Sequence, residues 1–254
     1  MRRWTAPLAA VAAVLVLWEL LVRVGLLSES SFPAMTDTFA RLFEELGSGD
    51  FWSAVGQTLQ GWALGLGIAI VLAVPAGMIV GSSRMLYRAL RVPIEFLRPI
   101  PSVALIPLAV LVYGTGLQSK VFLAAFASFW PLFIQTLYGM QDVDPVLNDT
   151  AKSFGLSRFE RVRRITLPSA VPYIATGIRI SSAVALILSV TAELVIGAAG
   201  LGRSISVAQA GGAVDLMYAL IIATGVLGWL LNIAATRGER RVLHWHPSQR
   251  SVTL

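Results

Sequence analysis

Thirty-three consecutive residues, Phe51–Ser83, carry no formal charge. The rest of the chain supplies no polar shell to wrap such a run. It supplies more of the same: Pro99–Ser119 and Val121–Gln141, each 21 residues without a charge, then about 170–196, broken only by Arg179 and Glu193, and Leu216–Thr236. Each is long enough to cross ~30 Å of hydrocarbon as a helix, where every backbone group bonds within its own segment. Charged residues make up only 13% of the chain, against about 25% in a soluble domain, and mean hydropathy is +0.73. With an apolar run at 5–23, the sequence predicts an all-α integral membrane protein. It has six transmembrane helices, at about 5–23, 54–82, 93–113, 120–140, 170–196 and 215–236, in one domain covering 1–254.

The N-terminus, Arg2-Arg3 followed by an apolar run, has the layout of a secretory leader. Trp18-Glu19-Leu20-Leu21 follows where a small-residue cleavage site would stand, so the run is read as a retained span. Glu19 within it is read as a structural polar contact or an interfacial residue. Lys and Arg set the orientation. With six spans and the N-terminus inside, fifteen fall in the cytoplasm and four outside, Lys120 among the latter. This is the charge bias of multi-pass proteins of the cytoplasmic membrane, with both termini cytoplasmic. The arginines sit in short groups beside apolar runs, so the pI near 10.3 points to the bilayer and not to nucleic acid. The outer loop over 24–53 is open to two readings, a helix along the interface or a plain connector. His244 and His246 flank Trp245 in a basic tail, read as an interfacial anchor in preference to a metal site.

Several chemistries are excluded. The chain has no cysteine and no G-x-x-x-x-G-K-[ST] phosphate loop. No His, Cys or paired Asp lies in a span to support nucleophilic or metal catalysis, so the chain is read as a non-enzyme with no metal site. In the second span Gly61, Gly65, Ala69, Ala73, Gly77 and Gly81 recur every fourth residue. That is the small-residue pattern that lets membrane helices approach closely, and Pro75 is expected to bend the helix.

One polar stretch stands out against this background: DTAKSFGLSRFERVRRITLP, Asp149–Pro168, on the cytoplasmic side, with a local net charge of +3. Asn148 or Asp149 can cap a helix that Gly155 ends. Ser157 and Glu160 have capping-box spacing for a second helix, which Pro168 is expected to close. Phe159, Val162 and Ile165 recur at turn spacing beside a row of Arg158, Arg161 and Arg164. An aromatic and aliphatic patch rimmed by arginine suits either a membrane-surface helix or a protein interface. The pattern alone does not choose.

The same stretch resembles the E-A-A-x3-G-x9-I-x-L-P loop of permease subunits of bacterial ABC importers. Asp149, Thr150 and Ala151 stand at the E-A-A positions, with Gly155, Ile165, Leu167 and Pro168 in register. Asp replaces Glu and Thr replaces Ala. Leu97–Gly116, Thr191–Gly202 and Trp245-His246-Pro247 are similar to the sulfonate, nitrate and taurine branch of that family, so the likeness spans about 50–245. It implies that a coupling helix pair over 148–168, between spans four and five, docks on an ATP-binding subunit through Asp149, Thr150, Ala151, Gly155, Phe159, Val162, Ile165, Leu167 and Pro168. It also implies a second copy of the permease, two cytosolic ATPases that bind the ATP and Mg, and an extracytoplasmic solute-binding protein. This chain itself would hold no cofactor. The cargo would be a small anionic solute such as a sulfonate, nitrate, bicarbonate, an aromatic carboxylate or a vitamin precursor. A secondary transporter or channel without an ATPase is the alternative.

Arg179, Ser182, Ser189 and Glu193 fall within an arc of about 80° on the fifth span. This stripe is read in two ways, as lining a translocation path or as helix-to-helix bonding inside one subunit. Arg98, Pro99 and Pro101, at the proline-broken start of the third span, are read as a gate or hinge.

Overall fold

The computed structural model describes residues 2–28 and 30–243. His244, Trp245, His246 and Pro247 lie outside them. The described residues are helical, without a strand. The chain runs through α1 (Arg2–Arg23), α2 (Met35–Leu46), α3 (Gly49–Gly81) and α4 (Arg84–Leu97). A 3₁₀ turn at Ser102–Leu105 leads into α5 (Ile106–Tyr113), followed by α6 (Leu117–Gln141), α7 (Pro145–Ser153) and α8 (Arg158–Arg161). A π turn at Val162–Thr166 joins α8 to α9 (Leu167–Ile196), then come α10 (Leu201–Ala210) and α11 (Val214–Val242). Among the described residues four helical stretches are long and apolar enough to cross a membrane: α3, α6, the stretch containing α9, and α11. Residues 93–113, read from the sequence as one span, are instead divided between α4 and α5. The two halves are bent by 80° across the break, and would make a fifth crossing if they count as one span.

α6 is the hub, packed on α3 along one side and on α9 along the other. The small-residue stripe explains the first contact. A Cβ at Gly61, Gly65, Gly77 or Gly81 would come within 2.5–2.7 Å of Lys120, Ala124, Thr136 or Met140 respectively, while Ala69 and Ala73 are 1% and 0% exposed. Each glycine and its partner are the same distance apart in sequence, so α3 and α6 run parallel in a fixed register. The stripe therefore serves bundle packing. Pro75 sits within α3, whose helix continues on both sides of it.

The outward faces are apolar. Val71, Leu111, Ile187, Val195 and Trp229 are all more than half exposed. Such a surface is untenable in water and natural against lipid or a second subunit. The 24–53 loop contains a helix, α2, that packs on α11 and α1. Glu19 holds this arrangement. Its carboxylate accepts from Arg23 Nε at 2.6 Å, from the Thr36 hydroxyl at 3.0 Å and from the Thr36 N–H at 3.2 Å.

Candidate functional site

The polar stretch forms a rigid knuckle. Its first helix begins earlier than Asn148 or Asp149: Asp144 is the N-cap, its carboxylate accepting from the Val146 N–H at 2.8 Å, and Pro145 takes the first helical position. An Asp-Pro pair is the stronger start because proline's fixed φ suits that position and its missing N–H is no loss there. Asp149 instead lies inside α7 and pairs with Lys152 at 2.6 Å. The Lys152 hydrogen bond holds its carboxyl below the ordinary Asp range.

The C-terminal end is a Schellman turn. The Gly155 N–H donates to the Lys152 carbonyl at 2.9 Å and the Leu156 N–H to the Ala151 carbonyl at 3.0 Å, with Gly155 at φ +73°. Two residues later the capping box closes in both directions. The Ser157 N–H donates to Glu160 Oε2 at 3.0 Å and the Glu160 N–H to Ser157 Oγ at 3.3 Å. Bonds from Ser157, its hydroxyl first, keep the Glu160 carboxyl below its usual range.

Pro168 does not end the second helix. α8, the π turn and α9 are continuous, and Pro168 is the second residue of α9. A proline inside an α-helix collides with the carbonyl four residues back. The wider π turn, in which the Leu167 N–H reaches the Val162 carbonyl, relieves that collision. The knuckle is thereby joined end to end with the long membrane helix.

Around this frame Phe159 is 74% exposed and Phe154, overlooked in the sequence pattern, 79% exposed, with Val146 at 70%. Ala151 is buried, Val162, Ile165 and Leu167 half-buried, and Thr150 and Pro168 exposed. The apolar tip is therefore carried by Phe154 and Phe159, while Val162 and Ile165 root the second helix. A cavity of about 680 Å³ separates α4 from the knuckle, with Arg84, Arg88, Arg91 and Arg161 in its walls.

The fifth-span stripe does not open on a path within this subunit. Ser182, Ser189 and Glu193 are 4%, 0% and 0% exposed; only Arg179 is accessible, pairing with Glu239 of α11 at 3.2 Å. Glu193 belongs to a closed network. Lys120 Nζ donates to Glu193 Oε1 at 2.9 Å, to the Gln57 carbonyl at 2.8 Å and to the Ala199 carbonyl at 2.8 Å. Glu193 Oε2 accepts from Thr58 Oγ1 at 2.9 Å and from the Gly202 N–H at 3.0 Å, and Thr58 Oγ1 accepts from the Leu201 N–H at 2.9 Å. Three donors of the ammonium are used, and both carboxylate oxygens are engaged. α3, α6, α9 and the start of α10 are pinned at one point. A Cβ at Gly200 or Gly202 would collide with the Glu193 side chain, which accounts for two of the three glycines of Thr191–Gly202; the third, Gly197, ends α9 at φ +75°. Lys120, which separates two uncharged runs and which the charge count places outside the membrane, is 1% exposed in the first turn of α6. Its signal was that it and Glu193 are lone charges near the same end of neighbouring spans.

At the remaining candidate positions, Arg98, Pro99 and Pro101 form the break between α4 and the 3₁₀ turn, and all three are exposed.

The profile of binding-protein-dependent transport system inner membrane components matches residues 69–244, and the chain belongs to that family. It is 30% identical over 250 residues to the taurine transport system permease protein of Escherichia coli, covering 96% of this chain and 91% of that one. It is 29% identical over 236 residues to the nitrate import permease protein of Synechocystis, covering 89% and 84%. In fold it is similar to a chain of the inward-facing MetNI methionine ABC transporter, with a TM-score of 0.65 at 22% identity, covering 74% of this chain and 94% of that chain. A bacterial ABC transporter that imports the acidic polysaccharide alginate gives 0.60 at 20% identity, covering 95% and 96%. The chain is thus a multi-pass inner membrane protein and the permease subunit of an ABC import system.

Proposed function

We propose that two copies of this chain form the path of an ATP-driven importer for a small anionic solute. In each copy six helices cross the membrane: α1, α3, the bent α4–α5 pair, α6, α9 and α11. Both ends and the knuckle lie in the cytoplasm. A cytosolic ATPase receives the knuckle in a groove and moves it as ATP is bound and hydrolysed, and an outer solute-binding protein delivers the cargo. Taurine carries a sulfonate and nitrate is an oxyanion, so the names of these relatives favour a solute with a negatively charged oxyanion group.

The observation that carries this reading is the knuckle itself. Two large aromatic side chains stand in the open on a turn fixed by a Schellman motif and a capping box. Burying each in a groove is worth about 1.5–3 kcal/mol. The unbroken path from α8 into α9 gives a force at the tip a rigid lever into the bundle. Phe154→Asp plus Phe159→Asp should abolish co-purification of the partner ATPase while the permease stays inserted and folded. A complex that forms equally well with both aspartates would overturn the docking role. Because the chain has no native cysteine, a single Cys at Ser153 also tests topology: labelling from the outer side would place the knuckle beyond any ATPase's reach.

A further inference from the structure

At the break between α4 and α5 the surface of the bundle carries an open cavity of about 370 Å³ whose walls include Arg98, Ser102, Trp130, Ile134, Gln135 and Ile180. Its depth is set by the helices behind it. Trp130 lies within two residues of the midpoint of α6 and Ile180 within two of the midpoint of α9. Arg98, read from the sequence as marking the cytoplasmic start of a span, therefore sits beside the middle of the bundle. It makes no ion pair or hydrogen bond among the described residues, and neither do the side chains of Ser102 and Gln135. No carboxylate lines the cavity.

Arg98 is itself exposed, and an arginine at mid-membrane that faces an open cavity without a carboxylate partner has the setting of a residue on a solute pathway. A broken helix at that depth is the setting in which backbone and side chains can meet a solute. Guanidinium, hydroxyl and amide supply donors for oxygens, and Trp130, Ile134 and Ile180 supply an apolar wall. We propose that this cavity is a cargo subsite for a small organic anion. Arg98 takes the sulfonate or carboxylate group, Ser102 and Gln135 bond its oxygens, and the short carbon chain lies against Trp130 and the isoleucines. The assignment rests on the importer reading above, to which it adds the place and chemistry of cargo selection.

Ser102→Cys installs the only thiol in the chain. The permease, assembled with its ATPase and binding protein in vesicles, is treated with a neutral methanethiosulfonate reagent in the presence of ethanesulfonate, taurine, nitrate or ethylammonium. Ethanesulfonate or taurine, each a sulfonate on a short carbon chain, should slow labelling roughly tenfold or more, the scale of one charge-assisted interaction; nitrate should do so less, and ethylammonium not at all. Adding Arg98→Gln should remove the protection and Arg98→Lys should restore part of it. Should Arg98→Gln fail to assemble, Gln135→Leu takes its place, with an expected several-fold weakening of protection. Equal labelling with and without every anion, or protection that survives these substitutions, would refute the subsite. ATP hydrolysis stimulated by the binding protein is followed on the unaltered chain. An unaltered chain that assembles no ATPase refutes the importer reading instead, so the two failures are distinguishable.

Discussion

Replacing Glu193 with Gln removes one charge from a pair that water does not reach. Lys120 Nζ is 2.9 Å from Glu193 Oε1, and the two side chains are 2% and 0% exposed. The amide cannot reproduce the carboxylate's bonds. If its oxygen faces Lys120, its NH₂ meets the Gly202 N–H; if it is flipped, the NH₂ meets the ammonium. Either way a buried lysine loses its counter-charge, a change worth about 3–5 kcal/mol. For domains of about this size each kcal/mol moves the midpoint by ~2–4 °C, so a fall of roughly 6–20 °C is expected. The assay is thermal unfolding of the detergent-purified permease followed by tryptophan fluorescence. Lys120→Met with Glu193→Gln, which removes both charges, should recover part of the loss, and the difference measures the coupling. A midpoint shift below about 2 °C combined with lost transport would refute this reasoning and return Glu193 to the path.

Gly65→Val drives a side chain into α6, since a Cβ there already stands 2.5 Å from that of Ala124; a loss of at least about 1–3 kcal/mol is expected in the same unfolding assay. Gly155→Val puts a β-branched residue at φ +73°, with a local strain of at least ~1–2 kcal/mol, and co-purification of the ATPase should weaken. Ser157→Ala removes the cap of α8, costing about 1 kcal/mol, seen as faster hydrogen exchange at Glu160. The same cap should respond to pH. Because folding lowers the Glu160 pKa from an ordinary value of 4.5, its stabilisation is complete above that value and is lost as pH falls through the lower folded one. Protection of the Ser157 and Glu160 amides, corrected for intrinsic exchange, should therefore hold at neutral pH and collapse only in acid.

The helices were legible where one segment alone decides. Apolar runs marked α3, α6, α9 and α11, and four-residue spacing marked the face of α3 that meets α6. The capping box of Ser157 and Glu160 and the glycine turn were also readable, because caps are local. Where two local rules compete, the sequence misled. Asp144-Pro145 outranked Asp149 as a helix start, and Pro168 was absorbed by a π turn that no propensity announces. The Lys120–Glu193 pair was hidden for a different reason: its partners are 73 residues apart, and only the packing of α6 on α9 brings them together. α10 was missed because ten residues of mixed polarity between glycines show no period, although Leu201 and Ile205 anchor it against α3 and α11.

The fit of α3 into α6 has a mechanical corollary. Glycine or alanine lies against α6 at every fourth position, so the two rods cannot creep past each other by small amounts. The smallest slip that restores the fit is one full repeat, about 6 Å at 1.5 Å per residue, and every smaller step drives side chains into backbone. If a partner drives the knuckle as proposed, the motion would be taken up at the bent joint before α5 and along the helix that leads from the knuckle, while this pair turns as a single mast.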